Sequence, residues 1–215
     1  MTALTPDELL TTTRAVRKRL DLTRQVERSV IEDCIAIASQ APNAGNRQRL
    51  HFVVVTDRGM RASLARIYRE CSASYFASPQ TLNSKGTREA MRDAATRRRF
   101  DSELYLYEHL HEVPVHVIPC ITGRTDRLDV PAQTARWGSI FPAMWSFMLA
   151  GRARGLGMTF TTIHLHREEE TAGVLGIPYK EVMQAGLLPV AYAKGSKFRP
   201  ALRQSVSKMV HWDVW

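Results

Sequence analysis

From Trp137 to Gly151 the chain carries no charge, and most of its side chains there are apolar. Such a run has to leave water, because each buried methylene is worth about 0.8 kcal/mol. It is shorter than the ~20 residues a membrane span needs, and it contains Pro142 and two serines. The expectation is a globular domain built around a buried helix, about Ser139 to Arg154, with Phe141, Trp145 and Phe147 in the core. No membrane partner is expected.

The rest of the composition agrees. A chain of 215 residues, 44% hydrophobic and 24% charged, is too apolar to be disordered and fits one fairly large domain. Cys34, Cys71 and Cys120 are few, odd in number and far apart, so no disulfide framework or thiolate metal site is expected. That usage, and acid rather than Lys or Arg near Met1, point to a reducing, cytoplasmic setting without a secretory leader. The net charge of +9 favours anionic partners such as phosphates, nucleotides or nucleic acid, without choosing among them.

Local signals lay out the order of elements. Thr5-Pro6-Asp7-Glu8 places a capping hydroxyl, a proline and two acids at a helix start, predicting a helix to about Thr13. Apolar residues recur at helical spacing from Glu27 to Gln40, and Pro42 follows. His51 to Thr56 and Val115 to Ile121 read as buried strands, and Asp57-Arg-Gly turns into another helix. Ser72 to Arg88 reads as a loop or lid, followed by a charged helix from about Glu89 to Leu110. Thr122 to Gln133 reads as a polar connection, and Gly155-Leu-Gly157 as a helix cap. Met158 to Thr162 and Gln184 to Ala193 complete about four strands, giving one α+β or α/β domain over residues 1–215.

No dinucleotide-binding G-x-G-x-x-G follows a strand, and no P-loop, nucleophile elbow or H-E-x-x-H occurs. Four polar clusters remain. Arg14-Ala-Val-Arg17-Lys18-Arg19 sets guanidinium groups where they can fork onto phosphate or carbonyl oxygens, although a solvated basic face accounts for it equally well. Ala41-Pro-Asn-Ala-Gly-Asn46-Arg-Gln48 can present amides to a flat heterocycle, or simply stop a helix and turn. Gly155-Leu-Gly157 leads into Met158-Thr-Phe-Thr-Thr162, and Lys194-Gly-Ser-Lys197-Phe-Arg199-Pro200 is a late basic loop.

Taken jointly and in this order, these pieces resemble the nitroreductase family. The matching stretches are T-T-T-R-A-V-R-K-R from Thr11, A-P-N-A-G-N-R-Q before F-V-V-V, G-L-G after a helix, L-G-I-P, A-G-L-L-P-V-A-Y-A-K-G and K-F-R-P. The resemblance spans essentially the whole chain. It implies an α+β sandwich, a mainly antiparallel central sheet flanked by helices, in an intertwined homodimer with FMN sites shared between subunits. It also implies an oxidoreductase passing hydride from NADH or NADPH through flavin N5 to nitroaromatic, quinone or similar acceptors in a ping-pong cycle.

Carried onto this sequence, Arg14, Ala15, Val16 and Arg17 would meet the FMN phosphate and pyrimidine edge, with Lys197 and Arg199 closing on the phosphate. Pro42, Asn43, Ala44, Asn46 and Gln48 would come from the other subunit. Thr161 and Thr162 would lie near N5. The cofactor does the chemistry, so no catalytic side chain is implied. The sequence departs from the family pattern where Gln48 is followed by Arg49-Leu50 and not Pro-Trp, where Asn43 replaces a serine, and where Phe160 could reshape the pocket ceiling.

The remaining features read as structural. His109-x-His111 and His164-x-His166 lack ligand partners at metal spacing, so no metal is expected. Arg97-Arg-Arg99 lacks accompanying aromatics and reads as a solvated face, so no nucleic-acid partner is expected, although a non-catalytic flavin or nucleic-acid binder is the alternative class. The closing His211-Trp-Asp-Val-Trp215 puts two indoles on a terminus, and residues 200–215 are expected to form an arm onto the partner subunit.

Overall fold

A computed structural model describes residues 4–77 and 93–215. Its centre is strand β2 (Val115–Thr122), buried at every position except the last. A strand buried on both faces needs a layer of helices on each side, and residue alternation decides which side chain goes where. Val115 and Val117 pack with Phe147, Met148, Cys34 and Leu188 under helices α2 (Arg28–Ala38) and α5 (Val130–Ala153). Ile118 and Cys120 face the other way, onto Leu64, Tyr68, Leu106 and Leu110 of α3 (Arg58–Ala77), α4 (Ala94–His109) and the turn after it.

The other strands are β1 (Leu50–Val55), β3 (Leu156–Met158), β4 (Val182–Gln184) and β5 (Leu188–Tyr192). All pairings are antiparallel, in the order β1-β2-β5-β3, with β4 also on β2. Thus β1 and β3 form opposite edges. The expected α+β sandwich with an antiparallel sheet is what the chain forms, with one refinement. Cys120 pairs with Gln184 and Val117 with Leu188, so three residues, Ala185 to Leu187, oppose the two residues Ile118 and Pro119. That is a bulge. Pro119 sits there because its carbonyl faces the bulge, accepting from the Ala185 amide at 2.8 Å, and its missing N–H costs no regular ladder bond. The single strand expected over Gln184–Ala193 is therefore split in two.

Helix α1 (Pro6–Thr12) starts as its residues dictate, with a reciprocal cap between Thr5 and Glu8. Helix α5 begins nine residues before Ser139, because Asp129 caps it by accepting from the Ala132 amide at 3.0 Å and Pro131 fits the first turn. The stretch read as a polar connection is helical from Val130. Pro142 does not interrupt it. The proline leaves the Gly138 carbonyl without its helical donor, and Gly138 is exposed, where water can serve.

Three further expectations are corrected. Phe147 is buried, but Phe141 is 38% and Trp145 39% exposed. The two residues stand four apart on the side of α5 turned away from the sheet, so the uncharged run clothes two faces and a single chain covers one. Residues 72–77 belong to α3, where Ser72 Oγ donates to the Tyr68 carbonyl at 2.6 Å; the rest of the 72–88 loop or lid lies outside the described residues. Gly155 has the left-handed φ of +81° expected of a cap, but Leu156 and Gly157 are strand. Helix α6 (Glu168–Leu175), unforeseen, ends on Gly176 at φ +67°.

Two histidines lie in the helix-covered interior. His116 Nε2 is 2.8 Å from the Leu110 carbonyl, and His164 sits in a tight turn over Ile163–Arg167. Burial pulls both imidazoles down to about 4. Between that value and the ordinary 6.5, the unfolded chain takes up protons that the folded chain refuses. Stability from these groups is full above pH 6.5 and is lost as pH falls towards 4, at up to about 1.4 kcal/mol per pH unit for each histidine. The urea midpoint should therefore drop between pH 7 and 4.5, and His116→Gln should flatten the drop; parallel pH profiles for the two proteins would contradict this.

Candidate functional site

The segment carrying Arg14 and Arg17 is tied to the sheet at the β3 edge. The Val16 amide donates to the Met158 carbonyl at 2.9 Å, and Leu20 bridges Ala193. Val16 and Leu20 point inward and are buried, while Arg14, Ala15 and Lys18 point out. Contact this close requires Gly157, since a Cβ there would lie 2.9 Å from Val16 Cγ1.

The late basic loop folds over this segment and is anchored by arginines. Arg19 Nε donates to the Lys194 carbonyl at 2.8 Å and Arg19 Nη1 to that of Lys197 at 3.0 Å. Arg152 donates to the Ser196 carbonyl at 3.1 Å. Both guanidiniums also contact the Phe198 ring, Arg19 at 4.2 Å and Arg152 at 4.4 Å from its centre. Arg14 Nη1 donates to the Arg199 carbonyl at 2.9 Å.

The result is a cleft of about 260 Å³ lined by Arg14 to Arg19, Ser102 and Lys197 to Arg199, with no carboxylate in its wall. Arg14, Ala15, Val16, Arg17, Lys197 and Arg199, which the resemblance assigned to one cofactor, line this one cleft. Cations lining a cavity whose wall holds no acid suit an oxyanion.

Arg17 also lines a neighbouring cleft of about 280 Å³, with Tyr68, Glu103, Phe160, Thr161, Thr162 and Ile163. The bulge positions this wall. Thr161 and Leu187 exchange backbone hydrogen bonds at 3.0 and 2.8 Å, and Gly186 leaves the space that the Phe160 ring occupies. Thr161 is half-buried and Thr162 exposed. Sequence reasoning missed Tyr68 and Glu103, whose positions depend on how α3 and α4 pack; Arg19 and Arg152 were likewise not foreseen as loop anchors. Burial raises the Tyr68 hydroxyl above its usual value, so it remains a proton-bearing donor at neutral pH.

The amide-rich loop lies elsewhere. The Asn43 side chain accepts from the Gln48 amide at 3.0 Å, and the Ala44 amide donates to Ser139 Oγ at 3.0 Å. Gly45, Asn46 and Gln48 all take left-handed backbone, with φ of 63°, 49° and 49°. Pro42, Asn43, Ala44, Asn46 and Gln48 lead into β1 and line neither of the two clefts. Edge β1 is three strand steps from edge β3, roughly 14 Å of sheet. One chain therefore does not assemble the full set.

Among the described residues, no three His, Cys, Asp or Glu side chains gather as metal ligands, and no helix is long and apolar enough to cross a membrane. His109 instead contacts Glu112 at 2.6 Å.

The model of the nitroreductase family matches residues 10–192. The chain belongs to the nitroreductase family. No curated protein matches it by sequence. Solved structures share the nitroreductase fold at low identity. Oxidized iodotyrosine deiodinase bound to FMN and 3-iodo-L-tyrosine is similar at TM-score 0.71 and 16% identity, over 97% of this chain and 99% of that one. The FMN and NADPH-dependent nitroreductase NfnB from sphigopyxis sp. strain HMH gives 0.67 and 18%, over 99% and 100%. A putative NADH dehydrogenase/NAD(P)H nitroreductase from Parabacteroides distasonis gives 0.65 and 21%, over 97% of each chain.

Anchoring of the basic loop by Arg19 is directly testable. Arg19→Ala should speed tryptic cleavage after Lys194 and Lys197, whose carbonyls Arg19 holds, at least tenfold. Unchanged cleavage at these two sites would show that Arg19 does not hold the loop.

Proposed function

We propose that this protein is an FMN-dependent oxidoreductase acting as a homodimer, with each flavin shared between subunits. The observation that carries the reading is the meeting, at Arg17, of a cationic cleft whose own wall holds no carboxylate with a cleft walled by Glu103, Thr161 and Thr162. FMN joins a phosphate dianion to a planar ring, one group suited to each cleft. Arg14, Lys197 and Arg199 would hold the phosphate, with Ala15 and Val16 forming the wall beneath it. Arg17 would reach the pyrimidine edge, where a guanidinium offsets negative charge on a reduced ring. Thr161 and Thr162 would lie beside the ring near N5.

Pro42, Asn43, Ala44, Asn46 and Gln48 would close the site from the partner subunit, which answers their placement at the opposite sheet edge. Two exposed apolar features support a dimer. Phe141 and Trp145 stand out from α5, and along residues 200–215 Leu202, Trp212 and Trp215 are 84–100% exposed. Burying those side chains is the role assigned to the terminal arm.

When bound, FMN would supply hydride transfer from NADH or NADPH and then to a nitroaromatic, quinone or similar acceptor, in a ping-pong sequence. The chain's own residues bind, orient and screen; no side chain has to move a proton in the first half-reaction. Support from relatives is that the iodotyrosine deiodinase structure holds FMN and that NfnB is FMN and NADPH-dependent.

The protein as purified, or after soaking with FMN, should show flavin absorption that NADH or NADPH bleaches and a quinone restores. A charge-assisted contact to phosphate is worth about 1.5–3 kcal/mol, so Arg14→Ala and Arg199→Ala should each weaken FMN binding about 10- to 100-fold. A preparation that stays colourless after soaking would end the reading. Removal of residues 211–215 should raise the dimer dissociation constant at least tenfold in sedimentation; an unchanged constant would exclude the arm.

A further inference from the structure

The loop from Asn43 to Arg49 borders a third cleft, of about 330 Å³, whose other wall is Ile121 and the first turns of α5. Arg47, Arg49 and Arg136 line it, and its wall contains no carboxylate. None of the ion pairs among the described residues uses these three arginines. Two of the cations, Arg47 and Arg49, alternate along this loop.

Arg136 is built into position. Its Nη1 donates to the Thr122 carbonyl at 2.5 Å, and its guanidinium lies over Gly123, where any Cβ would collide with it. Gly123 has a φ of +93°, a backbone that favours glycine. Burial first, and then Arg49 and Arg47, lower the Arg136 guanidinium from its ordinary value. Three guanidiniums held around one cavity without a counter-ion repel each other, and an oxyanion placed among them converts that repulsion into attraction. A guanidinium has five N–H donors, and Arg136 has committed one to Thr122, so its remaining fork is available for bidentate contact.

We propose that this cleft is a second oxyanion site, separate from the FMN phosphate cleft, that anchors the carboxylate or phosphate of a reactant. Its existence as a binding site depends on the arginines alone; its link to turnover rests on the flavin reading, in which Asn43 and Ala44 line both this cleft and the partner's ring. The chemistry is shared by two sources, the 2′-phosphate of NADPH and the acid group of an anionic acceptor.

The test has a binding arm independent of flavin. Inorganic phosphate titrated calorimetrically into the purified protein should bind. The double variant Arg49→Gln/Arg136→Gln should weaken that binding at least tenfold, Arg136→Lys should restore part of it beside Arg49, and Arg14→Ala should retain it. The kinetic arm compares KM for NADPH against NADH and for 4-nitrobenzoate against neutral 4-nitrobenzamide. Arg136→Gln should raise KM about tenfold for the charged member of one pair, naming the source, with kcat unchanged. The proposal is overturned if phosphate does not bind, if only Arg14→Ala abolishes binding, or if KM moves equally for charged and neutral partners. A colourless protein that still loses phosphate binding in the double variant would sink the flavin reading and spare the site.

Discussion

Strand β2 has to be covered on both faces and both edges, and the rest of the molecule follows from that requirement. Val115 and Val117 demand one helical layer, Ile118 and Cys120 another, and the sheet grows outward until β1 and β3 are its rims. The chain then hangs its polar segments on those rims. Arg14 to Arg17 are fastened beside β3 through Val16 and Met158, whereas Asn43 to Gln48 are delivered at β1. In the proposed reading the two sets meet by drawing on two chains. The bulge opposite Pro119 adds a second consequence of crowding at β2, since it turns Gly186 and Thr161 so that Phe160 and Thr162 face outward beside Arg17.

The net charge of +9 is not spread as a uniform basic coat. Some arginines are consumed in ion pairs, as with Arg124 on Asp126 and Glu168, or Arg66 and Arg167 on Glu70 and Glu170. Others, Arg19 and Arg152, spend their donors on backbone carbonyls and an aromatic ring. Arg14 and Arg17 at one cleft, and Arg47, Arg49 and Arg136 at another, line walls that hold no acid. Positive charge lining a cavity suits a small oxyanion, whose full charge fits inside.

Much of this was readable from local chemistry. Thr5 with Glu8, the β-branched runs and the glycine after α5 each announce their structure through contacts within a few residues. Asp129-Val-Pro carries such a cap signal, and so do Glu168-Glu-Glu in the first turn of α6 with Gly176 behind it. What was not legible depends on distant partners. Two-residue periodicity does not reveal an extra residue at Ala185–Leu187, nor does helical spacing say that Phe141 and Trp145 face away from the sheet while Phe147 faces it. The grouping of Arg14, Arg17, Lys197 and Arg199 came from motif order; its physical cause, the grip of Arg19 and Arg152 on the 194–199 loop, appears only when the two ends of the chain meet.

The central claim is that a complete flavin site takes its arginines from one subunit and its amide loop from the other. Mixed dimers test it most directly. Chains with Arg14→Ala/Arg17→Ala are combined with chains carrying Asn43→Ala/Asn46→Ala, and flavin content is measured by absorbance after gel filtration. A shared site predicts that each parent dimer holds little FMN while the mixed dimer, which regenerates one intact site, holds one FMN per pair. Flavin content no higher than the average of the two parents would contradict the claim.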